Sequence, residues 1–309
     1  MSTLGRYILR RLGLIIPTLL GVTLVVFFLV RMIPGDPARL IAGFQASEDE
    51  VARLRVELGL TRPIHVQYGI FLRRLARGDL GSSAVTRAPV AEEIASRLRA
   101  TVLLAVSSIL LAAVAGMSAG ILSATRQYSA LDYAVMGVAL FGVSIPVFWL
   151  GLMLMLLFSV YLHWLPAGGY GTPAHIVLPT IALAAVSIAI IARMTRSSLL
   201  ETFNQDYIRT ARAKGVRDEA VTLRHALKNA LIPVMTVIGL QFGTLLGGAI
   251  LTETVFAWPG IGRLLVNSVA SRDYPVIQGV VLIFAALFAL VNLTVDLLYA
   301  YVDPRIHYG

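Results

Sequence analysis

Residues 133–162, YAVMGVALFGVSIPVFWLGLMLMLLFSVYL, run for 30 positions without a charged side chain. About 20 apolar residues cross the hydrocarbon layer of a bilayer as a helix, so this stretch alone argues for a membrane span. Working outward, five more runs share its character. Residues 12–30 and 101–125 carry no charge, 176–192 is shorter and contains Pro179, 231–252 is uncharged up to Glu253, and 274–295 is uncharged up to Asp296. Helices are the expected form, because lipid offers backbone N–H and C=O groups no outside partner. The runs do not alternate, which argues against a membrane barrel. Over all 309 residues, 57% are hydrophobic and only 14% charged, with a mean hydropathy of +0.79. That balance fits a polytopic membrane protein and not a soluble domain.

Lysine and arginine in short flanking segments set the orientation. Arg6, Arg10 and Arg11 precede the first run, and residues 193–230 carry eight basic side chains: Arg193, Arg196, Arg209, Arg212, Lys214, Arg217, Arg224 and Lys228. With six spans these lie on one side, together with Arg126 and Arg305, and that side is expected to be cytoplasmic. Both termini are then inside. Segment 31–99 holds eleven arginines, but it is too long for the charge rule to apply and eight acidic residues offset them. The net charge of +9 is spread over membrane-flanking segments and points to topology, not to nucleic acid. There is no cysteine, which excludes disulfides and thiol chemistry. Arg10-Arg11 before an apolar run imitates a signal peptide. No small-x-small cleavage site follows, so an uncleaved first helix is expected.

The chain divides into residues 1–99, the first span plus an external helical insertion, and residues 100–309, a core of five spans. In the insertion, Ser47 and Glu50 have capping-box spacing, Val51, Leu54 and Leu58 share a helix face, and Gly59 stands where that helix would stop. Pro63 opens a second helix running through Phe71, Leu72 and Leu75 to Gly78. Pro89 opens a third that feeds the second span. Such a cap packs on the outer ends of the spans or receives an external delivery protein.

Between the fourth and fifth spans, residues 193–230 are basic, long and helix-forming. Residues 203–214 predict a helix, Gly215 a flexible turn, and Asp218 the cap of a second helix through Asn229. Ala211 and Ala213 let a partner approach closely; Arg209, Arg212 and Lys214 offer charge to an acidic rim. An ordinary positive-inside loop explains the charge but not the length or the helix-turn-helix pattern.

These residues carry a resemblance. The chain resembles an inner-membrane permease subunit of a binding-protein-dependent ABC importer, in the dipeptide, oligopeptide and nickel branch. That family has a cytoplasmic Glu-Ala-Ala…Gly loop that contacts an ATPase. Here Arg209-Thr210-Ala211 stands in the place of Glu-Ala-Ala, Gly215 in the place of the glycine, and Pro233 comes later than in the family's general pattern. The peptide branch shows the same departures, reading Arg-Thr-Ala-Arg-Ala-Lys-Gly and Arg-His-Ala-Leu-x-Asn-Ala as residues 209–215 and 224–230 do. Further matches are Pro34-Gly35-Asp36-Pro37, residues 57–60 and 78–83, Ser144–Trp149, residues 253–256 and 259–262, and Asp303-Pro304-Arg305. The resemblance implies two ATP-binding subunits, a second homologous permease that is preferably non-identical, and an external substrate-binding protein. The coupling residues it implies are Arg209, Thr210, Ala211, Arg212, Ala213, Lys214, Gly215 and Arg217. Di- or oligopeptides are the expected cargo, with glutathione or nickel chelates as alternatives. The chain itself is expected to be non-catalytic and to bind no cofactor or metal, ATP and Mg²⁺ belonging to partners. Its only lysines, Lys214 and Lys228, are followed by Gly215 and Asn229, so it has no phosphate-binding Gly-Lys-Ser/Thr.

Other residues keep two readings. Pro146 removes a backbone hydrogen bond and is expected to kink the third span, with Phe148 and Trp149 beside it as packing or as a gate. Gly239, Gly243 and Gly247, with Gly248, clear one helix face for close packing. Glu253 makes a structural bond or meets a substrate amine. Asp296 is expected to pair with an arginine. His163 and His175 are isolated, which argues against a metal. A secondary carrier driven by an ion gradient, the rival class, would need paired intramembrane acids; Glu253 and Asp296 fall near opposite ends.

Overall fold

The computed structural model describes residues 3–32, 36–43 and 45–302. Pro34-Gly35, Asp303-Pro304-Arg305 and the side chain of Asp296 lie outside the described residues. The elements are helices α1 (Thr3–Met32), α2 (Pro37–Ala42), α3 (Glu48–Glu57), α4 (Ile64–Leu75), α5 (Val90–Thr125), α6 (Ala130–Ser144), α7 (Val147–Met155), α8 (Pro173–Phe203), α9 (Asp206–Ala213), α10 (Asp218–Ala220), α11 (Leu227–Val255), α12 (Ile261–Ala270) and α13 (Tyr274–Val302). A π-helical stretch Leu156–Tyr161 prolongs α7, and another, Val221–Ala226, joins α10 to α11. Among the described residues there is no strand beyond an isolated bridge between Ser82 and Pro89. Among the described residues, five helices are long and apolar enough to cross a membrane, and six if the bent pair α6–α7 counts as one span. The protein is an all-α membrane protein.

Pro146 does more than kink the third apolar run: it ends one helix and starts another. Ile145 adopts φ −89°, ψ 129°, the extended region to which a residue before proline is pushed. Ala130–Ser144 and Val147–Tyr161 meet at 103°.

Two compact units form. The first holds residues 1–101 and 259–289, so more than residues 1–99 gather in it. Its core joins Val90 and Ile94 of α5 to Ile261 and Leu264 of α12 and Val276 and Val280 of α13. The Ile261 N–H donates to Thr101 Oγ1 at 2.9 Å. Asp273, almost fully buried, accepts from the Ser83 hydroxyl and from the Ala84 N–H at 3.0 Å, which ties the linker before α5 to the start of α13. Local signals hold the helices between α1 and α5. Ser47 and Glu50 form the reciprocal capping box, and hydrogen bonds from the Ser47 backbone N–H and hydroxyl hold the Glu50 carboxyl below its ordinary range. Gly59, at φ +68°, ends α3. Phe27, Tyr68 and Phe71 stack α4 on α1.

The second unit, residues 102–258 and 290–309, is built on α8, which packs against α6, α7 and α11. Fourteen residues of α8 are buried, most of them small: Thr180, Ala182, Ala184, Ser187, Ala189, Ala192, Thr195 and Ser198 among them. Small side chains let backbones approach and let hydroxyls bond between helices. Ser107 Oγ lies 2.8 Å from Thr180 Oγ1, Gln241 donates to Ser187 Oγ at 3.1 Å, and Ser198 donates to the Ala230 carbonyl at 3.0 Å. At 1.5 Å per residue α8 is about 46 Å long, beyond the roughly 30 Å of a hydrocarbon core, so one end projects from the membrane.

Candidate functional site

The basic segment 193–230 contains little loop. Residues 193–203 simply continue α8, because charge marks where a helix leaves lipid but does not break it. Only Asn204-Gln205 and Lys214–Arg217 interrupt the helices. The expected helix over 203–214 is therefore the shorter α9. The expected cap at Asp218 is also displaced. Arg217 occupies the N-cap without a side-chain hydrogen bond, and Asp218 sits in the first turn, where an acid favours the helix dipole. The second helix does not stop at Asn229. It runs on through Pro233 into α11.

One side of α9 is buried and the other bare. Ile208 is fully buried in a cluster with Leu199, Val221, Ala226 and Ala230, and Ala211 packs on the same cluster. Burying an isoleucine stabilises by about 1.5–3 kcal/mol, so one residue supplies most of the attachment. Arg209, Thr210, Arg212, Ala213, Lys214, Gly215 and Arg217 are exposed. The end of α9 is locked by two bonds: the Gly215 N–H donates to the Arg212 carbonyl at 2.9 Å and the Val216 N–H to the Ala211 carbonyl at 3.3 Å. This Schellman pattern requires a left-handed residue, and Gly215 has φ +77°. The ridge is also braced sideways. Arg212 Nε lies 3.3 Å from Asp218 Oδ1, its guanidinium 5.6 Å from the Phe203 ring centre, and Asn229 donates to Tyr207 Oη at 2.7 Å. Exposed pairs of this kind contribute about 0–1 kcal/mol each and orient more than they stabilise.

Beside α9 lies a hollow of about 870 Å³. Ile121, Leu200, Phe203 and Leu223 make apolar wall; Arg126, Gln127, Arg212, Asp218 and Glu219 add polar rim. Close by, Asp132 is buried, and its carboxylate accepts from Arg196 Nε and Nη2, both at 2.8 Å, from the Ser123 hydroxyl and from the Tyr128 N–H at 3.0 Å. In the sequence Arg196 is one more flanking cation, and nothing local marks Asp132 as its partner. The partners stand 64 residues apart, and no local pattern announces them.

The remaining candidates scatter. Phe148 and Trp149 open α7 just after the Pro146 break, each nearly half exposed. Glu253 is completely buried near the end of α11. Of the glycine stripe, Gly239 faces Val295 so closely that a Cβ would collide with it, Gly243 is buried, and Gly247 faces open space. A close backbone approach also involves a pair outside that stripe, Gly116 and Gly120 in α5. A Cβ on Gly120 would stand 2.5 Å from the Ala192 carbonyl oxygen, and one on Gly116 2.9 Å from that of Ile188. Their four-residue spacing was the available signal. His175 Nδ1 lies 2.7 Å from Thr172 Oγ1, and among the described residues no three His, Cys, Asp or Glu side chains gather to hold a metal.

A family model described as the binding-protein-dependent transport system inner membrane component matches residues 116–308, and its N-terminal companion matches residues 4–105. This chain belongs to that family. It is a multi-pass inner-membrane component of a transport system, a permease subunit. Similar relatives of this inner membrane component include the dipeptide transport system permease protein DppB of Alkalihalophilus pseudofirmus, 49% identical over 98% of this chain and 99% of the relative. The glutathione transport system permease protein GsiC is 50% identical in Salmonella choleraesuis and 48% in Escherichia coli K12, with the same coverage. Among solved structures, a chain of the MetNI methionine ABC transporter in an inward-facing conformation superposes with a TM-score of 0.58 at 21% identity, over 68% of this chain and 96% of that one. An amino acid ABC transporter chain superposes at 0.52 with 17% identity, over 70% and 95%. These two likenesses concern the fold.

Proposed function

We propose that this inner membrane component forms half of the translocation pathway of an ATP-driven importer of short peptides, and that α9 is where an ATP-hydrolysing partner takes hold of it. The observation that carries the docking reading is the two-sidedness of α9: an isoleucine anchor below, a basic ridge closed by Gly215 above. A helix of eight residues has no reason to be fixed so firmly while showing six exposed positions unless something binds them. The partners on this reading are two ATP-binding subunits, a second permease, preferably a non-identical homologue, and an external substrate-binding protein. ATP and Mg²⁺ belong to the ATP-binding subunits. The ridge, Arg126 and both termini are cytoplasmic; α2–α4 form the external cap.

The mechanism is alternating access. Closure of the ATP-bound partners displaces α9. Because α9 is seated on α8 and on the start of α11, the displacement reaches two spans as a rigid-body motion, and the difference in contacts between the two arrangements sets which side is open. The α6–α7 break, with Phe148 and Trp149, and Glu253 are the proposed pathway residues, and Gly239 and Gly243 the proposed packing positions. Dipeptides and glutathione, the cargoes in the relatives' names, are both short peptides, and the two kinds of relative stand equally near this chain.

Reconstitution tests this. Vesicles holding the chain with its companion permease, ATP-binding subunits and binding protein are expected to accumulate a labelled dipeptide or glutathione only with ATP. Accumulation by the chain alone, without nucleotide, would sink the docking reading. Calorimetry on the binding protein separates the two cargoes.

A further inference from the structure

The loop between α5 and α6 holds a backbone conformation that its sequence does not favour. Tyr128 has φ +62°, a left-handed geometry that a bulky residue adopts only against steric resistance. Such strain persists only where the surroundings over-determine it, and it gathers at functional positions. Here the surroundings do so thoroughly. The Tyr128 N–H donates to Asp132 at 3.0 Å, and Asp132 is in turn fixed by Ser123 and by both Arg196 bonds. Ser129 donates to the Arg126 carbonyl at 2.6 Å and accepts from the Asp132 N–H at 3.2 Å. All this holds up a side chain that is 72% exposed. A cage of charge and hydrogen bonds that buries an aspartate to display a tyrosine is a presenting device.

What it faces follows from place and area. Arg126 and Gln127 line the hollow beside α9 together with Arg212, Asp218 and Glu219, so a body seated on α9 meets this loop across the hollow. The α9 ridge is about 12 Å long and 10 Å wide, far short of the roughly 800 Å² per partner of a standard interface. More surface is required, and the adjoining loop supplies an aromatic residue with an arginine two positions before it, the residue types that anchor interfaces.

We propose that Tyr128 is a second anchor for the ATP-hydrolysing partner, gripping it across the hollow from α9. This rests on the docking reading above. A tyrosine serving only the membrane–water boundary would need neither the left-handed backbone nor the cage.

The test uses the assembled transporter, with the photoreactive residue benzoylphenylalanine replacing Tyr128 in one preparation and Arg209 in another. Both are expected to give adducts with the ATP-binding subunit. In a pull-down titration Tyr128→Ala should lower the affinity for the ATP-binding subunit at least fivefold, and Tyr128→Phe, which keeps the ring, should lower it less, both at unchanged yield of monodisperse chain; undiminished affinity in Tyr128→Ala overturns the second anchor. Adducts from position 209 with only lipid adducts, or none, from position 128 overturn the second anchor and leave the docking reading standing. Silence at both positions overturns both.

Discussion

Helices α8 and α9 are separated by two residues and follow opposite rules. The first is 31 residues long with 14 buried; the second has eight residues and one buried. Small side chains seat α8 against its neighbours along its length, whereas α9 hangs from Ile208 and a glycine-locked end. A helix that passes on movement must not bend, and one that receives a partner must leave its surface bare. The contrast teaches how the work divides: α8 is stiff because contacts are spread along it, and α9 is positioned because a few contacts are concentrated under it.

The largest way to break this contrast lies in α8's packing. Gly120→Leu drives a side chain into the Ala192 backbone, which cannot step aside, and is expected to cost about 3 kcal/mol or more and to cut the folded, monodisperse yield about tenfold by size-exclusion chromatography. Gly247→Leu, into open space, should stay within twofold. Equal losses in both would refute the close α5–α8 approach. Next comes the ion pair that ties α8 to the first turn of α6. Removing one partner of a buried pair costs roughly 3–5 kcal/mol. A quarter of the Arg196 side chain is exposed, so solvent screens part of that, and Asp132→Ala is expected at the low end or below. Thermal unfolding should show it as a lowered midpoint, and an unchanged midpoint would rule the pair out as a fastening.

Where a signal is local, the sequence announced the structure. The Ser47–Glu50 box, the stop at Gly59 and the openings at Pro63 and Pro89 each depend on residues within one turn, and each stands where expected. In the basic segment 193–230 charge ends the apolar run and suggests a loop, but helical hydrogen bonding is indifferent to the change from lipid to water, so α8 carries on to Phe203. Pro146 and Pro233 illustrate the same limit. Proline always removes one bond, yet one breaks a helix by 103° and the other rides inside α11; packing decides between them. Asp132 with Arg196, and the use of Gly120 but not Gly247, depend on which helices meet, and one chain of letters does not encode that locally.

The α9 side of the contrast breaks more gently. Ile208→Ala removes the anchor at about 2–5 kcal/mol for a core truncation, but the loss falls on α9 while α8 keeps its packing. The expected result is ATP-driven uptake down about tenfold with membrane insertion intact, and undiminished uptake would mean that α9 is held by something else.

Gly215 gives the smallest effect and the sharpest discrimination. An added Cβ meets no atom within 4 Å, so crowding predicts that alanine and asparagine are both harmless. Backbone conformation predicts otherwise. At φ +77° an L-residue is strained by about 1 kcal/mol, and asparagine tolerates that region better than alanine does. Coupled uptake should therefore fall in the order glycine, asparagine, alanine, with Gly215→Ala several-fold below the parent. If alanine matches glycine, the turn after α9 does not depend on its left-handed lock, and the rigid seating of the ridge has to come from Ile208 and the bracing of Arg212 against Asp218 and Phe203.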